Sequence, residues 1–246
     1  MCRLLGYVTK EAQTFSEVVG EGFESFVELS REHKHGWGIS TCATDSDSPQ
    51  KITDLTLAAD STKFEVTSSE LRSNGALLHL RLASKGLTVD LANNHPFTFG
   101  PYSFMHNGTI TPMNSMDQLI DPIYVQHISS TTDSERYFFT VLSFIDQFGL
   151  IEGVSRAVAA ISRSSSFTSA NFMLMTPDTF IAVCEFNESD QSEWSASNHY
   201  ELRYLLTPDA VTVSSTGWGK DDWISLPNHK ILVVDRLNLS HEVREL

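Results

Sequence analysis

The sequence predicts an α+β protein, with strands gathered toward both ends of the chain and helices grouped between them. Three observations carry this. Residues 76–83 alternate Leu78, Leu80 and Leu82 with His79, Arg81 and Ala83, a period-two strand with Arg81 on its less apolar face. Thr132-Asp133-Ser134-Glu135 reads as a capping box, and the helix it opens carries Tyr137, Phe138, Val141, Leu142, Ile145 and Phe148 on one broad stripe. From residue 171 onward, short apolar runs are punctuated by the turns Thr176-Pro177-Asp178 and Thr207-Pro208-Asp209.

In chain order, residues 2–8 read as a buried strand and residues 14–29 as one helix, with Gly20 and Gly22 inside it. His33-Lys34-His35-Gly36-Trp37-Gly38 is a glycine-flanked turn entering a strand over 39–42. A polar loop over 44–50, a strand over 51–59 and a weak helix around 69–72 follow. Asn93-Asn94-His95-Pro96-Phe97 is a turn, and a short strand over 102–105 runs into His106-Asn107-Gly108. Residues 113–120 form a short helix or a loop, and 152–161 a second helix after Gly149. The serine-rich stretch 162–169 reads as a mobile loop; strands follow over 171–175, 180–185, 203–206, 211–214 and 230–234. No repeat or linker divides the chain, so one domain over residues 1–246 is expected.

Composition limits the function classes. A hydrophobic content of 41% with 20% charged residues is ordinary for a soluble globular protein. A formal charge of -14 repels nucleic acid and anionic membranes, so neither is expected as a partner. No apolar run has the length of a signal peptide core or a membrane span. Cys2, Cys42 and Cys184 are widely spaced, odd in number and without a CxxC pair, which argues against disulfides and for the cytoplasm. Nine histidines include no HExxH and no zinc-type cluster, so no metal and no cofactor are expected. Gly36-Trp37-Gly38 lacks the lysine and following helix of a phosphate loop.

The opening Met1-Cys2-Arg3-Leu4-Leu5-Gly6-Tyr7-Val8 is unusual. Removal of Met1 would leave Cys2 with both a thiol and a free α-amine. A thiolate is nucleophilic, and an amine with a reference pKa of about 7.7–8.0 accepts its proton near neutrality. Two readings stand for this stretch: a small hydrophobe opening an edge strand, or a nucleophile carrying its own base. If Cys2 attacks an amide carbonyl, an oxyanion needs fixed donors. Asn107-Gly108 offers a side-chain amide and an unshielded N–H, or is a plain Asn-Gly turn. Arg81 suits a carboxylate or a structural ion pair, and Asp133 suits an ammonium or the positive end of a helix dipole.

The blocks taken together are more specific than any one of them. Cys2, Gly36-Trp37-Gly38, His79-Leu80-Arg81-Leu82-Ala83-Ser84, Asn94-His95-Pro96-Phe97, Phe104-Met105-His106-Asn107-Gly108 and Thr132-Asp133-Ser134-Glu135, in this order, closely resemble the class II glutamine amidotransferase domain. That domain belongs to the N-terminal nucleophile hydrolases, which implies a four-layer αββα sandwich of two antiparallel sheets. The resemblance covers about the first 150 residues. It implies Cys2 as nucleophile with its amine as base, Asn107 and Gly108 as the oxyanion hole, and Arg81 on the α-carboxylate of a γ-glutamyl substrate. Ser84 would be a nearby hydroxyl donor, Asp133 would take the α-ammonium, and His95 would shape the pocket.

Three positions depart from the family pattern. His35 stands where standalone relatives often carry aspartate, Lys85 where synthase-linked members tend to have histidine, and Ser214-Ser215-Thr216-Gly217-Trp218 where a Ser-Glu-Pro-like segment is common. Asp221-Asp222-Trp223 after it fits the family. The implied activity is cleavage of the γ-amide of glutamine or a γ-glutamyl compound through a thioester on Cys2, followed by hydrolysis. The chain would act as the glutaminase subunit of a complex with a separate acceptor-binding subunit. Otherwise it is an amidohydrolase like relatives in ergothioneine synthesis or glutathione breakdown. The alternative is a non-catalytic regulatory or binding subunit that retains the fold.

Overall fold

A computed structural model describes residues 2–84, 86–190, 199–218 and 223–246. Removal of Met1, the departure at Lys85 and the Asp221-Asp222 pair lie outside the described residues. Strands among the described residues form two antiparallel sheets. The first orders β11 (Ile224–Leu226), β9 (Leu202–Leu206), β10 (Ala210–Ser214), β1 (Arg3–Gln13), β4 (Ser73–Leu80), β2 (Trp37–Thr41) and β3 (Gln50–Asp54). The second orders β13 (His241–Glu245), β12 (Lys230–Asp235), β8 (Thr179–Cys184), β7 (Ser166–Met175), β6 (Tyr102–Thr111) and β5 (Phe97–Phe99).

Central strands are covered on both faces, so their runs are apolar throughout and not alternating. Neighbouring residues of β1 show this. Leu4 and Val8 pack between the sheets against Met105, Met173, Phe180 and Leu232, whereas Leu5 and Tyr7 face outward. The outward face of the first sheet is covered by α1 (Phe15–Val19), α2 (Gly22–Glu28) and α3 (Thr62–Glu70), which contribute Phe15, Phe23, Phe26 and Phe64. The second sheet is covered by α5 (Asp133–Phe148) and α6 (Leu150–Ser164), with the short α4 (Pro122–Val125) beside them. Helix, sheet, sheet and helix thus form the four layers expected. Gly6 lets the sheets meet closely: a Cβ there would lie 2.9 Å from both Leu77 Cδ2 and Phe180 Cζ. No helix among the described residues is long and apolar enough to cross a membrane.

Several expectations are corrected. Residues 14–29 form two helices because Gly20 takes φ +63° and ends the first one. The weak helix at 69–72 is the tail of α3, whose start is set by Ser61 Oγ accepting from Phe64 N (3.2 Å). The stretch 162–169 is no loop: α6 runs to Ser164 and β7 begins at Ser166, held by pairing of Ser166 with Thr111 and of Phe167 with Ile110. Asn107-Gly108 lies inside β6 and neither ends a strand nor forms a turn. The capping box is half formed. Thr132 Oγ1 accepts from Glu135 N (3.2 Å), but the Glu135 carboxylate turns back to Ser129 N (2.9 Å) and Ser130. Phe148 leaves the buried stripe and stacks under the Arg156 guanidinium, 4.4 Å from its centroid.

Phe104 is fully buried on β6 beside the rings of Phe172 (5.0 Å), Phe138 (5.2 Å) and Tyr137 (5.5 Å). Phe104→Ala should cost about 3–5 kcal/mol of stability, read from urea unfolding. A loss within error of zero would show that this ring does not hold β6 to α5.

Candidate active site

Five segments meet at one site: the entry to β1, the chain leaving β4, the turn before β5, the middle of β6 and the start of α5. Arg3 registers with Leu80, which puts Cys2 beside the residues that follow β4. The Cys2 nitrogen donates to Asn107 Oδ1 (2.8 Å) and its thiol points at the Leu82 carbonyl (Sγ to O, 3.7 Å). Ser215 holds the strand behind it. Its Oγ accepts from Leu4 N (2.9 Å), its N donates to Leu4 O (2.9 Å), and its carbonyl accepts from Arg3 Nη1 (3.1 Å).

Because Asn107 Oδ1 faces an N–H donor, its amide orientation is fixed and Nδ2 is the other end. That Nδ2 is buried with no acceptor among the described residues. A buried amide N–H without a partner costs stability unless something else completes it. Gly108 follows, and only glycine fits: a Cβ would lie 1.7 Å from the Ser169 carbonyl oxygen.

A cavity of about 30 Å³ at the junction is lined by Cys2, Arg81, Ser84, His95, Gly108 and Asp133. Asn107 adjoins it through its bond to Cys2, so all seven residues singled out in the sequence come together. The space is about that of one water molecule. Arg81 is buried, with Nη2 donating to the Thr88 carbonyl (3.0 Å) and Nη1 without an acceptor among the described residues. Burial pushes its pKa down, with Cys2 and Asp90 opposing. Asp133 is buried at the start of α5, where Oδ2 accepts from Ile110 N (2.7 Å) and Oδ1 from Ser134 N (3.0 Å). Ser134 Oγ also lies 3.4 Å from Oδ1, so Oδ2 is the oxygen with a lone pair left for a further donor. Ser84 Oγ pairs with Thr109 Oγ1 (3.2 Å).

Electrostatics separate the candidate base from the rings around it. Burial raises the Cys2 thiol above its ordinary pKa, opposed by the amino-terminal charge, the contact with Leu82 and Arg81; Asp133 adds to the rise. The resting group is a thiol that must lose its proton to attack. His79 and His95 stack 4.2 Å apart, and burial holds both well below the ordinary histidine pKa, with Arg81 adding to it. His106 is also lowered by burial. With Nε2–H donating to Ser169 O (3.2 Å), its Nδ1 accepts from Ser134 Oγ (2.9 Å), so the ring is neutral and tied at both ends. These histidines are walls. Among the described residues no group of three or more His, Cys, Asp or Glu is placed to hold a metal ion.

Three supporting residues were not picked out as site residues from the sequence. His106 joins β6 to the start of α5. His35 Nδ1 accepts from Ala83 N (3.0 Å), fixing the segment between Leu82 and Ser84. Ser215 cradles the residues after Cys2. His35 and the segment around Ser215 were visible only as departures from the family pattern, and His106 only as a neighbour of Asn107.

Comparison with known proteins gives a consistent result. The family model described as glutamine amidotransferases class-II matches residues 1–203. The chain is 26% identical over 168 residues to the probable glutamine amidotransferase DUG3 of Saccharomyces cerevisiae, over 61% of this chain and 47% of that protein. It thus spans about half the length of that curated relative. A glutamine aminotransferase class-II domain protein from Silicibacter pomeroyi superposes with a TM-score of 0.70 at 18% identity, covering 100% of this chain and 99% of its own. A predicted glutamine amidotransferase from Pseudomonas aeruginosa superposes with a TM-score of 0.62 at 17% identity, covering 100% of both chains.

The crowding at Gly108 is directly testable. Gly108→Ala should destabilise the protein by about 1–3 kcal/mol, because the Ser169 backbone must move away from β6. Thermal melting checks this, and an unchanged melting temperature would show that β6 and β7 are not packed this tightly.

Proposed function

Since this chain belongs to the class II glutamine amidotransferase family, we propose that it is a cysteine-dependent amidohydrolase that cleaves the γ-amide of glutamine or a γ-glutamyl compound. The observation that supports the proposal is a pair of buried donors with no acceptor among the described residues: Asn107 Nδ2, on the side chain bonded to Cys2, and Arg81 Nη1, on a side chain lining the cavity beside Cys2. One fits a developing oxyanion and the other a carboxylate.

With Met1 removed, the nitrogen held by Asn107 is the α-amine of Cys2. The amine takes the thiol proton as Sγ attacks the γ-carbonyl carbon, and the carbonyl electron pair moves to oxygen. Asn107 Nδ2–H and the Gly108 N–H then donate to that oxyanion. Collapse breaks the carbon–nitrogen bond; the leaving ammonia or amine takes the proton from the Cys2 ammonium, and a γ-glutamyl thioester remains. Water attacks the thioester with the amine again as base, and glutamate departs as the thiol regains its proton. Arg81 pairs with the α-carboxylate, Asp133 with the α-ammonium, Ser84 adds a hydroxyl, and the neutral His95 ring shapes the wall.

The deciding experiment is glutamate release from glutamine and from a panel of larger γ-glutamyl amides by the processed protein. Release from glutamine alone favours a glutaminase, and release from larger amides an amidohydrolase. A folded protein that binds glutamine without releasing glutamate would be the non-catalytic alternative. Cys2→Ala should abolish release, and Asn107→Ala should lower kcat about 10²–10³-fold. Arg81→Ala should lower kcat/KM by an amount equal to about 2–5 kcal/mol; a variant with normal kcat/KM removes Arg81 from the site. The glutamine analogue 6-diazo-5-oxo-norleucine should label Cys2 and spare Cys42 and Cys184, whose thiols burial pushes up to about 12.

The pH dependence follows from the groups involved. In the proposed mechanism the amine must be neutral to take the thiol proton, so the reactive form follows the neutral fraction of the amine. Activity should therefore rise with pH through an apparent pKa of about 8 or below. A profile that falls across this range would exclude the amine as base.

A further inference from the structure

Strand β13 is an edge of the second sheet, paired on its inner side with β12 from Lys230 opposite Glu245 to Val234 opposite His241. All five of its residues are exposed, including Val243 at 40%. A strand edge offers unpaired N–H and C=O groups to any other strand, and charged side chains commonly blunt it by repelling a second copy. Here the charges do not. The order His241-Glu242-Val243-Arg244-Glu245 is complementary to its own reverse.

We propose that β13 pairs antiparallel with β13 of a second copy, about a two-fold axis through Val243, so that the sheet continues across a homodimer. In this register Glu242 faces Arg244 of the second copy, Arg244 faces its Glu242, and His241 faces Glu245. Glu242 and Arg244 lie on one face of the strand and already form an ion pair within the chain. The pairing therefore joins two such pairs into a set of four charges alternating in sign. On the other face Val243 meets Val243. Val243 registers with the buried Leu232, so this contact extends the apolar layer between the sheets by one pair. Opposite charges directly across an antiparallel pair are favourable, and like charges there are unfavourable.

The other sheet edges lack this property. Reversal of β3 puts Gln50 opposite Asp54 and Lys51 opposite Thr53, which pairs no opposite charges. Both β5 and β11 are only three residues long. The overall charge of -14 opposes association of two copies, so the dimer forms by mass action as concentration rises. The proposal is independent of the catalytic reading, because none of these residues lines the Cys2 cavity.

Sedimentation velocity of the whole chain over a concentration series tests it. The wild type should show a monomer–dimer equilibrium. Glu242→Arg and Arg244→Glu, each of which places like charges opposite one another twice, should weaken association at least about tenfold. The double variant Glu242→Arg with Arg244→Glu swaps the charges in both copies and should restore it. Thermal melting should show all three variants folded, since these side chains are exposed. A wild type that stays monomeric, single reversals that leave association unchanged, or a double variant that fails to recover would each overturn the proposal.

Discussion

One hydrogen bond ties the site to the fold: the Cys2 nitrogen on the Asn107 side-chain oxygen, 2.8 Å across the gap between the two sheets. It can form only if the leading residue of the first sheet lies against the middle of a strand in the second. The sheets must therefore pack closely, which Gly6 permits, and β1 must enter at a fixed height, which Ser215 sets from β10's far end. Asn107 in turn has one amide end committed and the other left over. The same contact that locates Cys2 thus fixes which end of the Asn107 amide is the free donor.

Around this contact burial does most of the electrostatic sorting. It raises the thiol and lowers the pKa of His79, His95 and His106, so these rings are neutral and weak proton acceptors. Among the described residues, the charged side chains that line the cavity are Arg81 and Asp133, both buried, the first with an N–H that finds no acceptor there and the second already holding two backbone N–H groups. The proposed zwitterionic substrate would meet both of these opposite charges. In the proposed chemistry, the proton acceptor is then the nitrogen nearest the sulfur.

The parts of this structure legible in the sequence are those where one residue type has few uses. Capping at Thr132, the leucine alternation before Arg81 and the glycine-flanked Trp37 mark real elements, and of the seven candidate residues in the family blocks six line one cavity, with Asn107 adjoining it. Local propensity failed where tertiary pairing overrode it. Asn107-Gly108 looks like a turn but lies within β6, because β7 pairs across it and the Ser169 carbonyl occupies the space a side chain would need. The serines from 162 to 169 look like a loop, yet Ser164 bonds back to Ala160 and Ser166 pairs with Thr111. β13 carried no apolar pattern to find, since an edge strand in water needs none, and β11, Ile224-Ser225-Leu226, is too short for its alternation to stand out. Supports such as His35 and Ser215 act through backbone contacts to distant segments, which no local pattern encodes.

The most direct measurement compares glutamine turnover by the processed protein before and after acetylation of the Cys2 amine, with the thiol protected by a reversible disulfide during the modification. Removing a positioned general base lowers the rate by about 10²–10⁴-fold, and a loss of that size is expected even though the sulfur is restored. Undiminished turnover by the acetylated protein would contradict a nitrogen and a sulfur that share one proton.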